Sequence, residues 1–162
     1  MKEVSMNKDM KLSEHFTLGE LTKTSYKTED GNIPSRVAIE NLKNLCENWL
    51  EDLRYSYNTL YPRDCPQKEM PLVINSGYRS PEVNKRAGGS ATSNHLTGCA
   101  VDIRVSGFEQ AIRYASILLD ISDGTKRDFD ELFIEKNSSG RYWIHFAVRP
   151  KGNRRKMNFI KV

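Results

Sequence analysis

Apolar residues recur at steps of three and four behind Ile33-Pro34-Ser35. Leu42, Leu45, Cys46, Trp49, Leu50, Leu53 and Tyr57 mark one long amphipathic helix, with Pro34 suited to its first turn. The stretch 60–71 carries three prolines and mixed charge and reads as a loop, followed by a short buried strand at Leu72-Val73-Ile74-Asn75. Ser80-Pro81-Glu82 supplies an N-cap, a first-turn proline and an early acid for a short helix that stops at Gly88-Gly89. From Cys99 to Val105 the pattern alternates, with Ala100, Asp102 and Arg104 on one face and Cys99, Val101, Ile103 and Val105 on the other. Phe108, Ala111, Ile112, Ala115 and Leu119 predict a second amphipathic helix. Two β-prone runs, 131–136 and 142–148, flank Asn137-Ser138-Ser139-Gly140 as a hairpin would. This order predicts an α+β domain with a small, mainly antiparallel sheet flanked by helices.

Composition narrows the class. The chain has 162 residues, 38% hydrophobic and 28% charged, with a net charge of +4. That suits one compact domain with a real core, read as an N-terminal arm (1–11), a domain (12–150) and a basic C-terminal tail (151–162). No apolar run is long enough to span a bilayer, and Met1 to Lys11 lacks the apolar region of a secretion signal, so a cytoplasmic location is expected. Three cysteines (Cys46, Cys65, Cys99) at spacings without CxxC are expected to be reduced thiols. The basic tail has no aromatic-rich basic stripe to accompany it, so no nucleic-acid partner is expected, and a monomer is.

The candidate chemistry rests on few residues. His15 lies in a segment with no acid or histidine at ligand spacing and is read as structural or exposed. His95 sits in a loop of small and polar residues, seven before Asp102 on the outward face of the next strand. His145 is a polar residue in an apolar strand, which costs desolvation unless it is paired or bound. Two imidazoles and one carboxylate are the donor types of a catalytic zinc site that keeps its fourth position open.

Ser93-Asn94-His95-Leu96-Thr97-Gly98-Cys99-Ala100-Val101-Asp102 resembles the SxHxxGxAxD signature of the zinc D-alanyl-D-alanine carboxypeptidases and related peptidoglycan endopeptidases, including L-alanyl-D-glutamate endopeptidases. These share the hedgehog/DD-peptidase fold. Ser76-Gly77-Tyr78-Arg79-Ser80 resembles the family's SGYRS strand end, and Trp143-Ile144-His145 its second ligand segment. The segment 12–25 is similar to the N-terminal part of small bacterial and phage members. The resemblance implies a hedgehog/DD-peptidase-like fold, zinc as cofactor on His95, Asp102 and His145, and a peptidoglycan stem peptide as substrate. It implies substrate-binding roles for Arg79 and Ser93. An enzyme of this kind without a signal peptide reaches the wall by release or another export route. A non-catalytic zinc-containing wall-binding or protein-binding module of the same fold is the alternative.

The general base departs from the family pattern. Relatives place Glu or Asp three residues before the last histidine, where this chain has Tyr142, a hydrogen-bond donor to substrate but a poor base at neutral pH. The hairpin supplies a replacement. A three-residue loop at Ser138-Ser139-Gly140 pairs Lys136 with Tyr142, Glu135 with Trp143 and Phe133 with His145. Glu135 and His145 then share a face at roughly 7–8 Å along a diagonal, which makes Glu135 the first candidate base. Glu131, on the same face of its strand, is the second.

Overall fold

In a computed structural model, which describes residues 6–64 and 69–162, the chain is an α+β domain built on one five-stranded sheet. Residues 65–68 of the proline-bearing loop, Cys65 among them, and the first five residues of the N-terminal arm lie outside the described residues.

Besides the short α1 (Leu18–Leu21) and α4 (Pro81–Arg86), the helices begin at Ser35, which caps α2 (Arg36–Leu45) by accepting a hydrogen bond from the Ala38 amide at 3.1 Å. Pro34 therefore sits just before the cap, not in the first turn. The long helix contains a turn of π-helix at Cys46–Leu50 before α3 (Glu51–Leu60). Across this bulge all seven predicted apolar positions remain buried. Deleting one residue there would rotate α3 by about 100° and turn Leu53 and Tyr57 toward water. Each such side chain is worth about 1.5–3 kcal/mol when buried.

The strands are β1 (Ile74–Ser76), β2 (Ala100–Arg104), β3 (Glu131–Lys136), β4 (Tyr142–Ala147) and β5 (Lys156–Lys161), in the order β1-β2-β4-β3-β5. All neighbours are antiparallel except β3 and β5, which run parallel. β5 corrects the reading of residues 151–162 as a tail, since it pairs along the whole of β3 from Glu131↔Lys156 to Lys136↔Lys161. Its side chains are mostly exposed, the apolar Met157 and Phe159 included, as an edge strand permits, and this is why no buried-strand pattern marks it.

Alternation divides the sheet. Val101, Ile103, Leu132, Ile144 and Phe146 form one face, buried in the core with α2, α3 and α5 (Phe108–Thr125). Trp49 packs its ring 5.1 Å from Phe146. On α5 the buried stripe is Ala111, Tyr114, Ala115 and Leu118, whereas Phe108 and Ile112, predicted for it, are exposed. The polar Gln110 replaces them inside because its amide donates to the Tyr57 hydroxyl (3.0 Å) and accepts from the Ser106 amide (2.8 Å).

The hairpin has the predicted register: Lys136↔Tyr142, Glu135↔Trp143 and Phe133↔His145. The Asn137 amide donates to the Arg141 carbonyl at 3.0 Å, which closes a three-residue loop with Gly140 at φ +81°. The sheet's second face therefore carries Asp102 and Arg104 from β2, Trp143 and His145 from β4, and Glu131, Phe133 and Glu135 from β3.

Candidate metal centre

Short-range structure aims His95. Ser93 opens a single 3₁₀ turn, Asn94–Thr97, its hydroxyl accepting from the His95 amide at 3.2 Å. Gly98, at φ +73°, then turns the chain into β2 against α2, so closely that a Cβ there would lie 2.4 Å from the Ala38 carbonyl oxygen. His95 is buried, with Nδ1 2.7 Å from the Gly77 carbonyl oxygen. A carbonyl only accepts, so Nδ1 carries a proton, and Nε2 is the ring atom that faces Asp102 Oδ1 at 3.3 Å.

Strand pairing supplies the other two members. Asp102 lies directly opposite His145, whose Nδ1 is 3.1 Å from the same oxygen, Oδ1. Oδ2 accepts from Arg79 Nη2 at 3.0 Å, while Arg79 Nε donates to the Ser76 hydroxyl at 2.9 Å. One ligand atom from each of His95, Asp102 and His145 lies within 4.8 Å of the others, so the group can hold a metal ion. Burial by itself would raise the Asp102 carboxyl, but the His95 and His145 rings hold it well below the ordinary carboxylate range. Burial likewise disfavours the charged His145 ring, yet its bonds to Asp102 and Glu131 push its pKa up to about 9.

The two candidate acids occupy opposite diagonals of His145, with Phe133 between them stacked on its ring at 5.3 Å. Glu131 Oε1 is 3.1 Å from His145 Nε2 and accepts from Asn94 Nδ2 at 2.6 Å, and Glu131 Oε2 is 3.5 Å from Arg154 Nη2. The bond to His145 is the main reason its carboxyl sits below the ordinary value. Glu135 differs. Among the described residues no ion pair neutralises it, and burial, followed by the Asp102 charge, raises its pKa.

Tyr142 does not join this group. In a regular strand its odd-numbered separation from His145 sends it to the helix-side face, where its ring packs 5.3 Å from Phe108. His15 is elsewhere too, 2.7 Å from Glu51 Oε1 through Nδ1.

A family model described as Peptidase M15 matches residues 14–127, more than half of the chain. The chain belongs to the M15 peptidase family. No curated protein matches it. The matched segment of this M15 member holds Arg79, Ser93, His95 and Asp102 and stops before β3, so sheet pairing alone brings Glu131, Glu135 and His145 to the group. No helix among the described residues is long and apolar enough to cross a membrane.

Behind the group lies a polar lattice that sequence reasoning missed. Asp130, fully buried, accepts from Arg154 Nε (3.0 Å), Nη2 (2.8 Å) and backbone N (3.1 Å), and from Asn94 Nδ2 (2.8 Å). Arg149 Nε lies 3.2 Å from its Oδ2 and donates to Asn94 Oδ1 at 2.9 Å. Burial would raise the Asp130 carboxyl, but chiefly Arg154 and Asn94 lower it to about 2. The only signal in the chain was an acid pair before one strand and arginines after the next, ordinary for surface residues.

Proposed function

We propose that this M15 family member is a zinc-dependent peptidase that hydrolyses a peptide bond in peptidoglycan stem peptides. The observation that carries this reading is the convergence of His95 Nε2, Asp102 Oδ1 and His145 Nδ1 from a loop and two strands. Both nitrogens lie 3.1–3.3 Å from the Asp102 oxygen. Two imidazole nitrogens close to one carboxylate oxygen are the donor set of a catalytic zinc site, which keeps a fourth position for substrate chemistry, so these residues fit zinc. A zinc ion held there supplies a Lewis acid that polarises the scissile carbonyl and acidifies the attacking water.

The chain's own residues supply the rest. Glu135 takes the proton from the attacking water and passes it to the leaving amine. Its raised pKa brings it closer to the working pH of such a base than an exposed carboxylate would be. Arg79 gives Nη2 to Asp102 and Nε to Ser76 and presents its other Nη to a substrate carboxylate or carbonyl, which fixes orientation. The Ser93 hydroxyl accepts from the His95 amide and keeps its own proton for the substrate.

Metal analysis, followed by incubation with purified peptidoglycan and mass spectrometry of the products, tests this. One zinc per chain and new stem-peptide fragments are expected, and the fragments distinguish loss of a terminal D-alanine from cleavage within the stem. Glu135→Ala should lose at least about 10²-fold in turnover while zinc stays bound. No zinc overturns the metal assignment. Zinc without new fragments favours a non-catalytic wall-binding module, which Tyr142 facing away from the group supports.

A further inference from the structure

We infer that Glu131 is a positioning residue for the metal centre: its carboxylate holds the His145 ring by Nε2, so that Nδ1 faces Asp102 and His95. This rests on the zinc reading above and assigns Glu131 a role other than proton transfer. Imidazole has two nitrogens, and only one can bind a metal while the other carries hydrogen. The structure divides them. Nδ1 lies 3.1 Å from the Asp102 oxygen that His95 also faces, and Nε2 lies 3.1 Å from Glu131 Oε1 on the other side of the ring.

Glu131 is itself held. Asn94 Nδ2 reaches its Oε1 at 2.6 Å and Arg154 Nη2 approaches its Oε2 at 3.5 Å. Asn94 is the residue before His95, so one amide ties the carboxylate behind one histidine to the turn that carries the other. Asn94 in turn is fixed by Asp130 and Arg149. Both oxygens of Glu131 are therefore engaged with protein groups, and the oxygen that meets the ring meets its far nitrogen. This placement suits holding a ligand and does not suit taking a proton between Asp102 and His95. Partners of this kind behind a metal ligand are worth typically about 10–100-fold in metal affinity.

The test compares the metal-free full-length wild type, Glu131→Ala, Glu131→Gln and Glu135→Ala, titrated with Zn²⁺ against a chromophoric chelator and with Co²⁺ by its visible absorption. Glu131→Ala should bind zinc about 10–100-fold more weakly and change the cobalt spectrum. Glu131→Gln, whose carboxamide oxygen still accepts from Nε2–H, should recover most of that affinity, and Glu135→Ala should bind as the wild type does. Excess zinc should raise the turnover of Glu131→Ala, whereas Glu135→Ala stays inactive at every zinc concentration. If Glu131→Ala fails to fold, Glu131→Met keeps the volume without an acceptor and repeats the comparison. Equal zinc affinity of Glu131→Ala and wild type overturns this inference and leaves the metal reading standing. Wild type that binds no metal overturns both.

Discussion

Gly98 joins the His95 turn to β2, and replacing it by alanine has two costs that can be separated. The first is conformational. At φ +73° a side chain occupies the left-handed region, worth about 1–2 kcal/mol against an L-residue. The second is steric. The added Cβ would sit 2.4 Å from the Ala38 carbonyl oxygen and 3.0 Å from its carbon, so turn and helix must part by about 1 Å to reach ordinary contact. Helix α2 cannot yield freely because Leu42 and Leu45 are fully buried, and such overpacking costs about 1–3 kcal/mol. Gly140 is the matched control: its φ is +81° and nothing lies within 4 Å of a Cβ placed on it. Thermal unfolding of the metal-free protein, followed by circular dichroism, should show Gly140→Ala lowered by about 3–6 °C. Gly98→Ala, at a combined cost of about 2–5 kcal/mol, should fall by about 6–15 °C. A Gly98→Ala protein no less stable than Gly140→Ala would refute the close-approach argument.

The Asp130 carboxyl, lowered from 3.8 to about 2, contributes about 2 kcal/mol of stability, fully present above about pH 4 and lost as the pH falls through about 2. Asp130→Asn should therefore be less stable at neutral pH, with the gap to wild type closing between about pH 4 and 2; a gap independent of pH would contradict this. Ending the chain after Pro150 removes β5 and Arg154 and strips the buried Asp130 of its main partner, at an expected cost of about 3–5 kcal/mol. A truncated chain melting within about 2 °C of the full one would show the segment to be dispensable after all. Tyr142→Phe should change turnover on peptidoglycan by less than about twofold, because the residue faces Phe108, and a tenfold loss would bring its hydroxyl back into the chemistry.

The signature from Ser93 to Asp102 and the hairpin register were legible because both rest on short-range rules, ligand spacing and turn length. His95 and Asp102 are joined by one glycine turn, and the three-residue loop alone decides that Glu135 shares a face with His145. What was not legible depends on distant partners. Asp130 is buried only because Arg154, 24 residues later, folds back on it. Gln110 displaces Ile112 from the buried side of α5 because Tyr57, 53 residues earlier, offers its hydroxyl. β5 has an unremarkable, lysine-rich sequence, and only the free edge of β3 makes it a strand. Glu135 ranked ahead of Glu131 on strand geometry alone, and only Asn94 and the far nitrogen of His145, both beside Glu131, give the two acids different roles.

The division of the sheet into an oily side and a reactive side has a bearing on misfolding. Were β4 to shift by one residue against β2 and β3, His145 would turn into the helix layer and Ile144 and Phe146 would turn out to water. The same slip would thus dissolve the core and scatter the proposed metal-binding group in a single event. A chain that has paired wrongly cannot persist as a well-folded but inert molecule, so the folded fraction of a preparation and its metal-binding fraction should rise and fall together.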